Sequence, residues 1–337
     1  MSRHGGTRPA VAAAKRRRVA RSSRGGATFL LEQTVTAGTG RRYRNAAIAF
    51  YRWALESGED ARDETELDNL LVDYFHELFE DERGVSVAAC TLHGVVWLHP
   101  ELKFQLPRAA QAVRGWSKMR PGTSYPPLTW ELAIAIGLQL ARAGQHRHGV
   151  GVLLAFDCFL RVSELVGLYR EDVVDDRDVR IGFEHRGLLL RLRKTKTGSN
   201  KTVAVLDEHA QALLRQLVRD TKPGERLFPF TTDHFRRAMK RSCAELGLSG
   251  RYVPHSLRHG GATRYSHVLG WLLEDVMQRG RWASTKSARL YIQSGPALLM
   301  SMTVPPRLAA TAVLLSKDPV YYFNLLRASV TARRTRH

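Results

Sequence analysis

Cysteine is scarce in this chain of 337 residues: Cys90, Cys158 and Cys243 are far apart and odd in number. That excludes a disulfide framework and a zinc knuckle, which need paired, closely spaced ligands, and leaves thiols buried in a reducing compartment. Long apolar runs are missing too. The best of them, Gly149 to Leu160, is broken by Asp157 and falls short of the roughly 18 residues that span a bilayer, so a soluble protein is expected. Acidic residues are the third deficit, with 32 Asp and Glu against 52 Lys and Arg and a net charge of +20. A surplus of that size calls for a polyanionic partner, because each cation set against a phosphate releases a condensed counterion. Charge alone does not separate nucleic acid from an anionic membrane.

Met1 to Ala27 has no acidic residue and carries KRRRVARSSR over Lys15–Arg24. Such a block is a solvated basic arm with three functional readings: a nuclear localisation signal, a DNA-gripping arm, or an Arg-rich transit peptide. The expected location is nuclear in a eukaryote and cytoplasmic otherwise. Residues 28–116 read as a helical domain, with apolar positions at helical spacing over Arg41–Ser57, Glu64–Glu80, Val85–Leu98 and Glu101–Trp116. Three prolines and a glycine in SKMRPGTSYPP mark residues 117–127 as a linker. A second domain is expected over 128–300 and a C-terminal helical tail over 301–337. Helices are predicted at Leu128–Ala143, His148–Phe159, Asp207–Arg219 and Asp233–Leu246, with Ser163 as the cap of the helix after Arg161. Between Val179 and Leu206 the period changes to alternation, which predicts three strands with turns at 185–187 and 197–200. Helices at Leu298–Leu315 and Tyr321–Leu326 precede a frayed basic end, ARRTRH. The fold class is α+β, mainly helical, with a small antiparallel three-stranded sheet.

Chemistry concentrates in PHSLRHGGATRYSHVLGWLLEDVMQRGRWASTKSARLYIQ, from Pro254 onward. His255 and Arg258 are three apart and share a helix face; Trp282 and Tyr291 close the run after a helical segment at Val268–Met277. Upstream, CFLRVSELVGLYREDVV places Arg161 and Glu164 three apart. Two arginines that grip an oxyanion through paired N–H donors suit a phosphate better than lysines do, and a phenol beside them is a candidate nucleophile. Taken singly, each residue has an ordinary reading: a packed tyrosine, surface arginines, a core histidine.

Together these boxes resemble the tyrosine recombinases, or phage integrases, whose pattern is Arg, Lys, His-x-x-Arg, His or Trp, and Tyr. LRVSELVGL matches the first arginine box, HSLRHGGAT the second and GRWASTKSARLYI the nucleophile box, with the family's spacing of nine from Trp282 to Tyr291. The resemblance implies a helical core-binding domain that closes over duplex DNA and a mixed α/β catalytic domain. It assigns Tyr291 as the nucleophile that forms a 3′-phosphotyrosyl link, and Arg161 and Arg258 as the clamp on the phosphate. Lys196, with Lys194 as the alternative, would protonate the leaving 5′-oxygen, and His255 would bind phosphate or take the tyrosine proton. Trp282 would donate to phosphate and pack on the tyrosine helix, while Glu164 orients an arginine or histidine. The implied protein is a site-specific recombinase or mobile-element integrase acting on double-stranded DNA, as a homotetramer on paired sites, with no metal or other cofactor called for. A type IB topoisomerase-like nicking and resealing enzyme, and a silenced DNA-binding relative, remain the alternatives.

Overall fold

The computed structural model describes residues 33–120, 125–175, 178, 187–195, 198–248, 252–292, 295 and 303–334. The basic leader and Lys196 lie outside the described residues, and so does the side chain of Lys194. The chain divides into two units, residues 1–123 and 124–337.

The first unit is built from α1 (Ala37–Glu56), α2 (Glu64–Glu80), α3 (Val85–Leu98) and α4 (Pro107–Met119). Thr36 and Asp63 cap α1 and α2 by accepting from Thr39 N and Glu66 N, which satisfies backbone donors that the first turn leaves open. One core joins Phe50, Leu71, Phe75, Val95 and Trp116. The segment expected as a single helix over Glu101–Trp116 is instead a 3₁₀ turn, Pro100–Leu102, followed by α4. Pro107 cannot donate inside a helix and so starts a new one. The buried Asp68 on α2 secures that start, accepting from Arg108 N and Ala109 N, both at 2.8 Å.

In the second unit, α5 (Trp130–Arg142) packs on α6 (His146–Asp157) in a core that includes Ile134, Leu153 and Phe156. The sheet runs β1 (Val173–Val174), β2 (Leu188–Thr195), β3 (Gly198–Val205), each neighbour antiparallel. Leu188, Leu190 and Leu192 turn inward while Arg191 and Arg193 face out, the period-2 pattern of a half-buried strand. Residues 179–186, where the first strand was expected, lie outside the described residues; the sheet's β1 sits earlier. Of the turn expected at 197–200, residues 198–200 belong to β3 instead, where Gly198 pairs with Thr195 and Ser199 with Lys194, and residue 197 lies outside the described residues.

Helices α7 (Val162–Val166), α8 (Glu208–Arg219), α9 (Thr232–Glu245), α10 (Pro254–Thr263), α11 (Leu273–Gly280) and α12 (Thr285–Arg289) follow in order around the sheet's place in the chain, then α13 (Pro306–Leu315) and α14 (Pro319–Arg334). The helix predicted from Val268 begins only at Leu273: α10 runs on as a π turn to Val268, and Gly270 takes a φ of 70°. Residues 332–334, expected to fray, belong to α14, whose Phe323 is fully buried in the unit's own core. Among the described residues no helix is long and apolar enough to cross a membrane.

His148 on α6 is buried, stacks on Phe230 at 3.9 Å, and leaves both ring nitrogens without a partner among the described residues. Burial, reinforced by His234, pulls its pKa from 6.5 to about 4. As pH falls from 6.5 towards 4 the unfolded chain takes up this proton and the folded one does not, so stability is withdrawn across that window and no further below it. His148→Phe keeps the stacking and removes the titration. Its urea midpoint relative to wild type should therefore rise between pH 8 and pH 4.5; a pH-independent difference would refute this account.

Candidate active site

Asp157 ends α6, and Phe159 then reverses the chain at φ 49°, a left-handed conformation that a side chain disfavours. The turn delivers Arg161 to the N-terminus of α7. Glu164, rather than the predicted Ser163, secures this end: its carboxylate accepts from Arg161 N at 2.9 Å and from Arg161 Nη1 at 2.7 Å. Burial pushes the Glu164 carboxyl up, but the charges and donors of Arg281 and Arg161 outweigh it and hold it below the usual carboxylate range.

Pro254 opens α10 with its φ already set. His255, Arg258 and His259 then share a face, while Gly260 and Gly261 press on the backbone carbonyls of Leu128 and Phe156, where a Cβ would collide. That close approach sinks Arg258 until it is fully buried. Its guanidinium donates to the carbonyls of Phe159 and Gly280 and lies 4.6 Å from the Trp282 ring and 5.2 Å from that of Tyr291. Burial, with Arg161 and Arg281 nearby, lowers its pKa to about 9, so it is still a cation at neutral pH.

Tyr291 follows the short α12 and is half-buried. Its ring stacks on His259 at 4.6 Å and tilts against Trp282 at 4.6 Å. Its hydroxyl is 3.0 Å from His255 Nε2. Burial, then Arg258 and Arg161, pull His255 down to about 4. The ring is therefore neutral at pH 7, with one nitrogen able to accept a proton. Trp282 Nε1 is a buried donor with no acceptor among the described residues.

The structure thus brings Arg161, Glu164, His255, Arg258, Trp282 and Tyr291 into one cluster. It adds a residue that spacing did not flag: Arg281, at the C-terminus of α11, whose guanidinium reaches Glu164 at 3.0 Å. Three guanidiniums (Arg161, Arg258, Arg281) meet one carboxylate (Glu164), leaving two positive charges uncompensated, an arrangement that favours an anion. Beside Arg161 and His255 opens a cavity of about 700 Å³ that is also lined by Tyr125, Arg236, Lys240 and Tyr252.

The sequence profile of the phage integrase family matches residues 138–297. The chain carries a phage integrase family domain. All six residues of the cluster fall inside this integrase domain, as do Lys194 and Lys196. Over 112 residues the chain is 32% identical to tyrosine recombinase XerA of Saccharolobus solfataricus, covering 33% of this chain and 34% of that protein. An integrase of Mycobacterium phage D29 is 28% identical over 154 residues, 41% of each chain. This chain therefore spans only 34% and 41% of the length of these curated relatives. The fold is that of lambda integrase residues 75–356, solved as a dimer bound to a COC′ core site, with a TM-score of 0.55 at 17% identity over 85% of this chain and 96% of that one. At that identity the likeness is one of fold.

His259 and Arg281 both escaped the sequence reading of the integrase domain. His259 is four residues beyond His255, a same-face spacing that could have marked it. Nothing in GRWAS signals that Arg281 turns inward.

Proposed function

We propose that this chain cleaves and rejoins duplex DNA through a covalent 3′-phosphotyrosyl intermediate, as a site-specific recombinase or integrase. The observation that carries the reading is the hydrogen bond between the Tyr291 hydroxyl and a neutral His255, set beside the buried Arg258. The scissile phosphate sits among Arg161, Arg258 and the Trp282 N–H, whose unpaired donor suits a non-bridging oxygen. Tyr291 attacks phosphorus and His255 takes the phenol proton. The P–O bond to the 5′-oxygen breaks, and a lysine of the β2–β3 hairpin, Lys196 or Lys194, protonates that oxygen. A 5′-hydroxyl attacking the phosphotyrosine reverses the steps and rejoins a strand. The phosphodiester bond is exchanged rather than hydrolysed, so no nucleotide is consumed. Assembly as a tetramer on two paired sites belongs to the same proposal.

A nicked duplex from which the cleaved end diffuses away tests this reading. Wild-type protein should become covalently joined to the strand that keeps the 3′-phosphate, seen as a shifted band on a denaturing gel; no shifted band at any DNA concentration would refute the reading. The cavity beside Arg161 gives a second test. Arg236 and Lys240 are exposed on α9 and line that cavity, a suitable course for the neighbouring phosphates. Arg236→Ala and Lys240→Ala should each weaken binding to any duplex sequence and reduce the slope of log K against log salt by about 1. An unchanged slope would move the backbone path elsewhere.

A further inference from the structure

Arg281 occupies a position built for glycine. It is the residue after Gly280, at the end of α11, with φ 57° and ψ 42°, the left-handed cap where absence of a Cβ is an advantage. Among the described residues only Glu82, Phe104, Phe159 and Arg281 hold a positive φ without being glycine. Two of these four touch each other, since Arg281 Nη2 donates to Phe159 O at 2.9 Å. The side chain is 5% exposed. Its Nη1 donates to Arg279 O at 2.9 Å and, more loosely, to Cys158 O at 3.4 Å, while the buried Nε has no partner among the described residues.

Two of its bonds lead to the phosphate clamp. The Phe159 carbonyl that Arg281 holds is the same one that receives Arg258 Nη1. The Glu164 carboxylate that Arg281 grips through Oε2 at 3.0 Å uses Oε1 to hold Arg161 Nη1 at 2.7 Å. Each arginine of the clamp is therefore one shared acceptor away from Arg281. Without this third guanidinium, both oxygens of Glu164 would be left to Arg161, which would be drawn toward the carboxylate and away from an incoming phosphate.

We infer that Arg281 is a positioning residue that sets Arg161 and Arg258 at the separation the scissile phosphate needs, acting through Glu164 and the Phe159 carbonyl. This rests on the proposed cleavage reaction and adds a residue to it. A forked guanidinium is required because two acceptors on different segments, the α6–α7 turn and α7 itself, must be spanned at once; a lysine offers a single point of charge.

The test is the rate of covalent adduct formation on the nicked duplex at saturating DNA, for wild type, Arg281→Gly, Arg281→Lys, Glu164→Gln and the Glu164→Gln/Arg281→Gly double variant. Glycine fits the left-handed cap, so Arg281→Gly should fold, and its melting curve is recorded alongside. Arg281→Gly should be slowed about 100-fold, the order of loss from an ångström-scale misplacement, with duplex affinity within about threefold of wild type. Arg281→Lys should be slowed less, because a charge remains beside Glu164. In the Glu164→Gln background, removing Arg281 should cost far less than it does in wild type, because both changes break the same link. A wild-type rate in Arg281→Gly, a loss that reappears wholly as weakened binding, or fully multiplicative effects in the double variant would each overturn the inference. If Arg281→Gly melts early, Arg281→Lys carries the same comparison, and a wild-type rate there overturns it equally. Absence of any adduct with wild-type protein would instead count against the cleavage reaction itself.

Discussion

Tyr291→Phe should form no covalent adduct with a nicked duplex while binding it as tightly as wild type. The substitution removes one oxygen and keeps the ring, so stacking on His259 and contact with Trp282 survive. The lost hydrogen bond, to His255, leaves a partly buried imidazole facing an open cleft that water can enter, so little stability is at stake. Chemistry has no second route, because a phenyl ring cannot attack phosphorus. Removing the nucleophile from an enzyme that works through a covalent intermediate costs on the order of 10⁴- to 10⁶-fold. A Tyr291→Phe protein that still forms adducts at the wild-type rate would place the nucleophile elsewhere; one that neither binds nor melts normally would make Tyr291 a packing residue.

Asp157→Ala should destabilise the second unit more than any substitution on its surface. Asp157 is fully buried at the end of α6. One carboxylate oxygen receives the Tyr265 hydroxyl; the other receives Arg279 Nη2 and Leu206 N, both at 3.0 Å. Arg279, itself 5% exposed, also donates to the carbonyls of Asp157 and Ala204. The pair therefore joins the end of α6, the end of β3 and α11 at one point. Truncating the carboxylate leaves a dry guanidinium without its counter-charge, at a cost of about 3–5 kcal/mol. For a unit of this size that corresponds to a fall in Tm of roughly 10 °C. Replacing both partners, as in Asp157→Leu/Arg279→Met, should cost less than the single change, because no buried charge is stranded. Calorimetry decides: a single variant melting within about 2 °C of wild type would show that the charge is relieved by water or a shift of α11.

Much of the architecture could be read from spacing. Glu64–Glu80 and Val85–Leu98 emerge with the bounds their apolar periodicity predicts, and alternation at Leu188, Leu190 and Leu192 marks the buried face of β2. Local pattern failed where tertiary contacts override it. Pro107 splits a helix because Asp68, some forty residues away in the chain, supplies its cap. Leu269 and Leu272 look like part of an amphipathic helix, yet Gly270 breaks it and leaves both exposed. In the site, motif spacing singled out six residues that the structure gathers, and left Lys194 against Lys196 open. Arg281 stayed hidden because its role depends on a left-handed backbone and on two acceptors from a segment more than a hundred residues earlier. Its charge alone resembles that of any surface arginine in a strongly basic chain.

The hydrogen bond from Tyr291 to His255 has a genetic corollary. Phenol, imidazole and the Arg258 guanidinium meet within one polypeptide, so a copy would attack with its own Tyr291 beside its own Arg258. Two crippled copies mixed together, one with Tyr291→Phe and the other with Arg258→Ala, should therefore form no adduct on a nicked duplex, and an adduct from the mixture would show that the phenol serves the guanidiniums of another copy. Mixtures of wild-type and Tyr291→Phe protein should lose adduct in direct proportion to the fraction of defective protein.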